Sequence, residues 1–322
     1  MPAARSSRLT EGADPGADDS RGRIAFLFPG QGSQRAGMGV ELLRDPEIAD
    51  LAGECSAAAG LDLVRLLTSA DDDELRLTHN AQPALVFAGV ALARLLARRG
   101  IRPAASAGHS VGEYTALCVS GALTPAQAVK TVVARGRAMA EAAPPGTTSM
   151  LAVLGLDADV VCAALAGAPE VWPANFNTPT QTVIGGSVAG LEEARERLQA
   201  AGARRLLPLN VAAAFHTPLM QAAAAALRGA LQSVGWAQPA HPVMANLTAQ
   251  PYGRAGDIPS TLERQLVSPV RWADCVRALN ESGCDVFYEV GPSRALTGMM
   301  RELAPAAAAS AVSSPEAVER LE

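Results

Sequence analysis

The sequence predicts an α/β fold in which a core of strands and helices is interrupted by an inserted βαββαβ subdomain. Three observations predict it. Apolar runs that read as strands lie near both ends of the chain, at residues 24–27 and 285–290. Between them, Gly108-His109-Ser110-Val111-Gly112 is a small-residue turn that joins an apolar approach to a helical pattern. Residues 148–211 then break the strand-helix rhythm with an order of their own, β-α-β-β-α-β. A Gly-x-Ser-x-Gly elbow between strand and helix belongs to an α/β hydrolase-like core, and the inserted order is the ferredoxin-like one.

The elements follow in order. Residues 1–22, with Ser6, Ser7, Asp14, Asp18 and Asp19, are too polar for a signal peptide and are expected to form a disordered extension. The strand at 24–27 runs into the glycine-rich loop Phe28-Pro29-Gly30-Gln31-Gly32-Ser33-Gln34. Residues 102–107 read as a short buried approach to the elbow, and 111–120 as a helix closed by Gly121. The insert is expected as strand 150–154, helix 158–166, strands 171–175 and 182–184, helix 191–201 and a last strand 205–211. A helix over 221–231 and the late strand 285–290 complete the core, and the alanine-rich 304–322 reads as a C-terminal tail. The predicted division is therefore a core of 23–147 and 212–303, with the ferredoxin-like subdomain at 148–211.

Composition supports a globular chain. With 322 residues, 49% of them hydrophobic, it can bury a substantial core. No uninterrupted apolar run approaches the roughly 20 residues that span a bilayer, so a cytoplasmic protein without membrane contact is expected. A net charge of −5 argues against nucleic acid as a partner. Arg195, Arg197, Arg204 and Arg205 gather in one region that could attract an acidic partner or simply form a solvated face. Cys55, Cys118, Cys162, Cys275 and Cys284 show neither Cys-x-x-Cys nor metal-ligand spacing, which predicts reduced thiols and no metal site.

The elbow carries the chemistry. Glycines on both flanks suit a tight, strained turn that lifts the Ser110 hydroxyl clear for attack at a helix N-terminus. There, free N–H groups and the positive end of the helix dipole favour a developing negative charge, and the Val111 N–H is the first oxyanion donor. Gln31, in the loop after the first strand, is a candidate second donor or a residue of an ordinary surface turn. A serine hydroxyl needs a base, and the histidines are His79, His109, His216 and His241. His109 adjoins Ser110, but neighbouring side chains on a turn point apart, so it is expected to pack beside the elbow. His216, in an apolar segment that ends at a helix start, reads as a core residue or as the base.

Several separated motifs occur together: Pro29-Gly30-Gln31-Gly32-Ser33-Gln34, Gln82-Pro83-Ala84-Leu85, Gly108 to Tyr114, Arg135-Gly136-Arg137, Pro173-Ala174-Asn175-Phe176-Asn177, Phe215-His216, Gln265 with Ser268-Pro269-Val270, and Glu289-Val290-Gly291-Pro292. In this order, from near residue 24 to near residue 303, they resemble the malonyl-CoA:acyl-carrier-protein transacylase family, the acyltransferases of fatty acid and polyketide synthesis.

The resemblance implies that Ser110 accepts the acyl group, that His216 is its base, and that Gln31 with the Val111 amide forms the oxyanion hole. It implies that Arg135 binds a free carboxylate, which would separate malonyl from acetyl; helical spacing alone does not separate Arg135 from Arg137. The family orients its histidine through a main-chain carbonyl near the position of Gln265, and Asn246 is another polar group that could face the pocket. Phe215 resembles malonyl-selective members and leaves little room for an α-methyl branch, although modular members read His-Ala-Phe-His where this chain has Ala213-Ala214-Phe215-His216. The implied reaction is ping-pong transfer of malonyl from malonyl-CoA to the phosphopantetheine thiol of an acyl carrier protein, in fatty acid or trans-acting polyketide synthesis, with no cofactor. No stretch resembles a ketosynthase or carrier domain, so a discrete enzyme is expected. The competing reading is an editing hydrolase of the same fold that clears acyl groups from carrier proteins, which would have no use for a buried cation at Arg135. A scaffold that merely binds carrier proteins would be expected to lack one of Ser110, His216 or Gln31.

Overall fold

The computed structural model describes residues 22–142, 144, 146–211 and 213–321, so the expected N-terminal extension lies outside the described residues except for Gly22. Strand β1 (Ile24–Phe28) is buried along its whole length. Its alternation serves two cores, because successive side chains point to opposite faces: Ile24, Phe26 and Phe28 join one cluster, and Ala25 and Leu27 the other. The chain then passes through α1 (Pro46–Ala59), α2 (Leu63–Thr68), α3 (Asp72–Arg76) and the long α4 (Thr78–Arg98) before re-entering the sheet as β2 (Ala105–Gly108).

Helices α5 (Gly112–Val119) and α6 (Pro125–Glu141) follow β2. A reciprocal capping box between Thr124 and Gln127, with Pro125 in the first turn, fixes where α6 begins. Helix α4 has the length and apolar content of a membrane span, but 83% of its most apolar window is buried inside the fold. It is a core helix packed on α6. That approach depends on Gly136, where a Cβ would stand 2.7 Å from the His79 Cα.

The next segment forms the second sheet, from β3 (Thr148–Leu154), α7 (Ala158–Ala164), β4 (Val171–Thr178), β5 (Gln181–Ser187), α8 (Val188–Ala200) and β6 (Arg205–Pro208). Its order is β4-β5-β3-β6 with every neighbour antiparallel, which is the ferredoxin-like arrangement. One face, with Leu151, Val153 and Ile184, packs on Val161, Leu191 and Leu198 of its own helices. Met150, Ala152 and Val183, at the alternate positions, belong to the main core. The inserted sheet is thus held against the body that bears the elbow. The predicted strand 205–211 ends at Pro208, and Leu209 and Val211 turn into the cleft between the two sheets.

The remaining elements are α9 (Gln221–Gln232), β7 (Val243–Met244), α10 (Ile258–Gln265), α11 (Trp272–Glu281), β8 (Val286–Val290), α12 (Ala295–Leu303), β9 (Ala308–Val312) and α13 (Pro315–Glu319). The main sheet has five strands, all parallel, in the order β7-β2-β1-β8-β9. This corrects the expected tail at 304–322: β9 pairs with β8 over five residues, and Val312 and Val318 are buried in the core. Main-chain hydrogen bonds hold this edge strand, so its alanines carry none of the β-branched pattern that marks a strand in a sequence.

Candidate active site

Ser110 stands between β2 and α5 with φ +53°, a left-handed backbone on a non-glycine residue. Both flanking glycines are sterically required. A Cβ on Gly108 would fall 1.9 Å from the Gly112 carbonyl, and one on Gly112 would fall 2.2 Å from the Phe28 oxygen. The elbow is clamped to the end of β1 by the His109 N–H, which donates to Phe28 O at 2.9 Å. Asn246 secures it from the other side: its Oδ1 accepts from the Ser110 N–H at 2.8 Å, and its Nδ2 donates to Gly108 O at 2.8 Å.

His216 also has a left-handed backbone, at φ +60°. Its Nε2 lies 2.7 Å from Ser110 Oγ, while its Nδ1 lies 2.9 Å from the main-chain oxygen of Gln265 at the end of α10. The carbonyl can only accept, so Nδ1 carries the proton and Nε2 is left free to take one from the serine. Burial, reinforced by the nearby Arg135 charge, pushes the imidazole down to about 3 and keeps it neutral.

Arg135 is 1% exposed, whereas Arg137, two residues along the same helix, is exposed. Its Nη1 donates to Gln82 Oε1 at 2.9 Å, and Nη2 donates to Gln265 Oε1 at 3.0 Å and to Ser110 Oγ at 3.1 Å. The guanidinium lies 5.7 Å from the centre of the Tyr114 ring. Among the described residues, Arg135 forms no ion pair within 4.0 Å and its Nε has no hydrogen-bond partner. A buried cation in contact with a serine hydroxyl, with no carboxylate against it among the described residues and a donor to spare, has the chemistry to bind an anion.

Gln31 lines the cleft over Ser110. Its side-chain Nε2 is turned away, donating to Thr78 Oγ1 at 3.1 Å. Among the described residues, neither its main-chain N–H nor that of Val111 has an acceptor, so both amides are free to donate. The Gln31 loop rests on the end of β8, where a Cβ on Gly291 would lie 2.5 Å from the Pro29 ring. Glu289 follows the same logic: its carboxylate accepts from the Thr297 N–H and Oγ1 and fixes the start of α12, which carries Leu296 and Met299 into the cleft.

The cleft has a volume of about 200 Å³. Ser110 and His216 line it together with Phe215, Met139, Met150 and Val183, so apolar side chains from the inserted sheet, α6 and the His216 segment surround the pair. His109 is held apart from the serine hydroxyl. Its Nε2 lies 2.9 Å from Asn177 Oδ1 on β4, and its ring packs 5.5 Å from Trp272. His241 pairs with Ser106 at 3.0 Å and lies outside the cleft.

The predicted residues Ser110, His216, Arg135 and Gln265 therefore converge, with Gln265 in contact through both its carbonyl and its amide. Sequence reasoning assigned no role to Gln82, Glu113 or Tyr252. The buried Glu113 accepts from Gln265 Nε2 at 2.7 Å, from the Asn246 N–H at 3.1 Å and from the Tyr252 hydroxyl. The signal available was position: Glu113 lies three residues after Ser110, in the first turn of the helix that the elbow starts.

Residues 25–318 match the family described as the acyl transferase domain. The chain is 40% identical over 301 residues to the malonyl CoA-acyl carrier protein transacylase of Salmonella typhimurium, covering 92% of this chain and 97% of that protein. Among solved structures it is similar to the malonyl-CoA:acyl carrier protein transacylase of Xanthomonas oryzae, with a TM-score of 0.89 and 40% identity over 93% of this chain and 97% of that one. It is also similar to a malonyl-transacylase solved in complex with a type II PKS acyl-carrier protein, with a TM-score of 0.88 and 37% identity over 92% and 98% of the two chains.

Proposed function

The chain belongs to the acyl transferase family, and on that premise we propose that it transfers malonyl from malonyl-CoA to the phosphopantetheine thiol of an acyl carrier protein through an ester on Ser110. The observation that carries this reading is Arg135, a buried guanidinium 3.1 Å from the serine oxygen and without an ion pair among the described residues. The malonyl carboxylate supplies the missing anion. Acetyl-CoA offers nothing there and leaves the guanidinium without an anion in contact.

The steps follow from the hydrogen bonds. His216 Nε2 takes the Ser110 proton as Oγ attacks the thioester carbonyl. The tetrahedral oxyanion is met by the N–H of Val111, at the N-terminus of α5, and by that of Gln31 in the loop after β1. The imidazolium formed is held by the Gln265 carbonyl, at the C-terminal end of α10, where the helix dipole favours positive charge. The C–S bond breaks, His216 returns its proton to the departing CoA thiolate, and malonyl remains on Ser110. In the second half the pantetheine thiol gives its proton to His216, attacks the ester carbonyl and expels Ser110 Oγ, which recovers that proton. A substrate carboxylate on Arg135 also cancels the charge that depresses His216, so the base strengthens when malonyl is in place.

In this reading the elbow, Arg135 and His216 belong to a catalytic core that runs from 23 to 147 and from 212 through β9 and α13, and residues 148–211 form the opposing wall of the cleft. Phe215 limits the α-carbon of the acyl group by lining the cleft beside His216. Free thiols at all five cysteines, together with CoA and carrier-protein substrates, support a cytoplasmic location. The test is covalent labelling. Brief exposure to malonyl-CoA should add one malonyl group at Ser110, and Ser110→Ala should abolish the label; label retained by that variant rejects the nucleophile.

A further inference from the structure

We propose that Glu113 is a positioning residue of this site, whose buried carboxylate fastens the two residues, Gln265 and Asn246, that hold His216, Arg135 and Ser110 in register. The inference rests on the reading of Ser110 and His216 as the reacting pair, and it concerns what keeps them aligned.

Asn246 is the tether of the nucleophile, since it bonds the Ser110 N–H and Gly108 O through its side chain. Gln265 is the tether of the rest. Its main-chain oxygen meets His216 Nδ1 at 2.9 Å, its Oε1 accepts from Arg135 Nη2 at 3.0 Å, and its Nε2 donates to Ser110 O at 3.1 Å. These tethers come from distant segments, one just after β7 and the other at the end of α10, and each could shift with its own segment. One carboxylate joins them: Glu113 Oε2 accepts from Gln265 Nε2 at 2.7 Å and from the Asn246 N–H at 3.1 Å. The Tyr252 hydroxyl donates to Oε1. Glu113 is wholly buried and grows from the helix that begins at the elbow, so the nucleophile and the anchor of its partners share one rigid element.

The chemistry of the partners selects an ionised carboxylate. Three donors converge on two oxygens, and an amide in that place would turn an N–H toward a donor. Burial pulls the other way and raises Glu113 to about 7. The titratable and charged groups that face it are Tyr114 on the same helix, Arg135 on α6, Cys275 on α11 and Tyr252. Burial pushes both tyrosines and the thiol upward, away from neutrality. Because the folded value lies above the ordinary 4.5, the carboxylate gains its proton as pH falls through about 7, and its hold on the tethers weakens in that window.

The experiment is rapid-quench measurement of Ser110 acylation by malonyl-CoA against pH, for the native chain, Glu113→Gln and Tyr252→Phe, with thermal melting of each. The native chain should show an acid limb near pH 7, and Glu113→Gln should acylate on the order of 100-fold more slowly and lose that limb. Tyr252→Phe, which removes one donor, should slow acylation by about 10-fold and move that limb. Either folded variant acylating at the native rate with the native pH profile would overturn the positioning role, and if Glu113→Gln fails to fold, Tyr252→Phe decides. A native chain that forms no malonyl ester overturns the site reading and this inference with it, whereas a native chain that acylates normally beside an unaffected variant overturns only the role of Glu113.

Discussion

Ser110 and His216 are two of the four non-glycine residues with a left-handed backbone among the described residues. Such conformations cost on the order of 1–3 kcal/mol each and persist where the surroundings over-determine them. Here the determinants are Gly108, Gly112, Asn246 and the Gln265 carbonyl. In the proposed reading Arg135 carries the substrate choice, and Arg135→Ala should depress malonyl transfer by on the order of 10²–10³ while affecting acetyl transfer far less. The check is the ratio of the two acylation rates, and an equal fall in both would remove Arg135 from the carboxylate role. The elbow and the serine were legible in the residues because a strained turn admits few side chains, and the resemblance picked His216 and Arg135 from residue types that spacing left ambiguous. Glu113 was not legible. Its partners are 133 to 152 residues away along the chain, and no local pattern marks a carboxylate that acts through folded neighbours. The direction of the Gln31 side chain was equally hidden, because its Thr78 partner lies 47 residues on.

The secondary-structure elements divide by how much of their role is local. Strand β1, alternating between two cores, and the inserted βαββαβ run announce themselves through side-chain pattern. Strand β9 does not. Its residues Ala308 to Val312 gain their place by pairing with β8, so an alanine-rich segment that reads as a tail closes the edge of the parallel sheet. Truncation after Leu303 should therefore destabilise the protein. It removes the β9 ladder and the buried Val312 and Val318, each side chain worth roughly 1.5–3 kcal/mol. The expected result is a marked fall in melting temperature or insoluble protein, and a truncated chain that melts with the full-length protein would restore the tail reading.

At the scale of the whole molecule, the inserted sheet is stitched to the core beside the cleft, through the segment before α11 and through the elbow. Phe176 N donates to Val270 O and Val270 N to Ala174 O, both at 2.9 Å, and His109 bonds Asn177 across the same seam. The elbow and His216 come from opposite sides of the insert in sequence yet meet at 2.7 Å, so the insert spans the two segments that the proposed reaction brings together. The central claim is that this cleft moves a malonyl group between thiols instead of releasing it to water. Intact-protein mass spectrometry tests it most directly: separate brief exposures to malonyl-, methylmalonyl- and acetyl-CoA, then addition of a phosphopantetheinylated acyl carrier protein. A malonyl adduct that forms in preference to the others and reappears on the carrier is the predicted result. An adduct that decays to free acid without reaching the carrier, or one that forms only with acetyl-CoA, would contradict the account and point to an editing hydrolase.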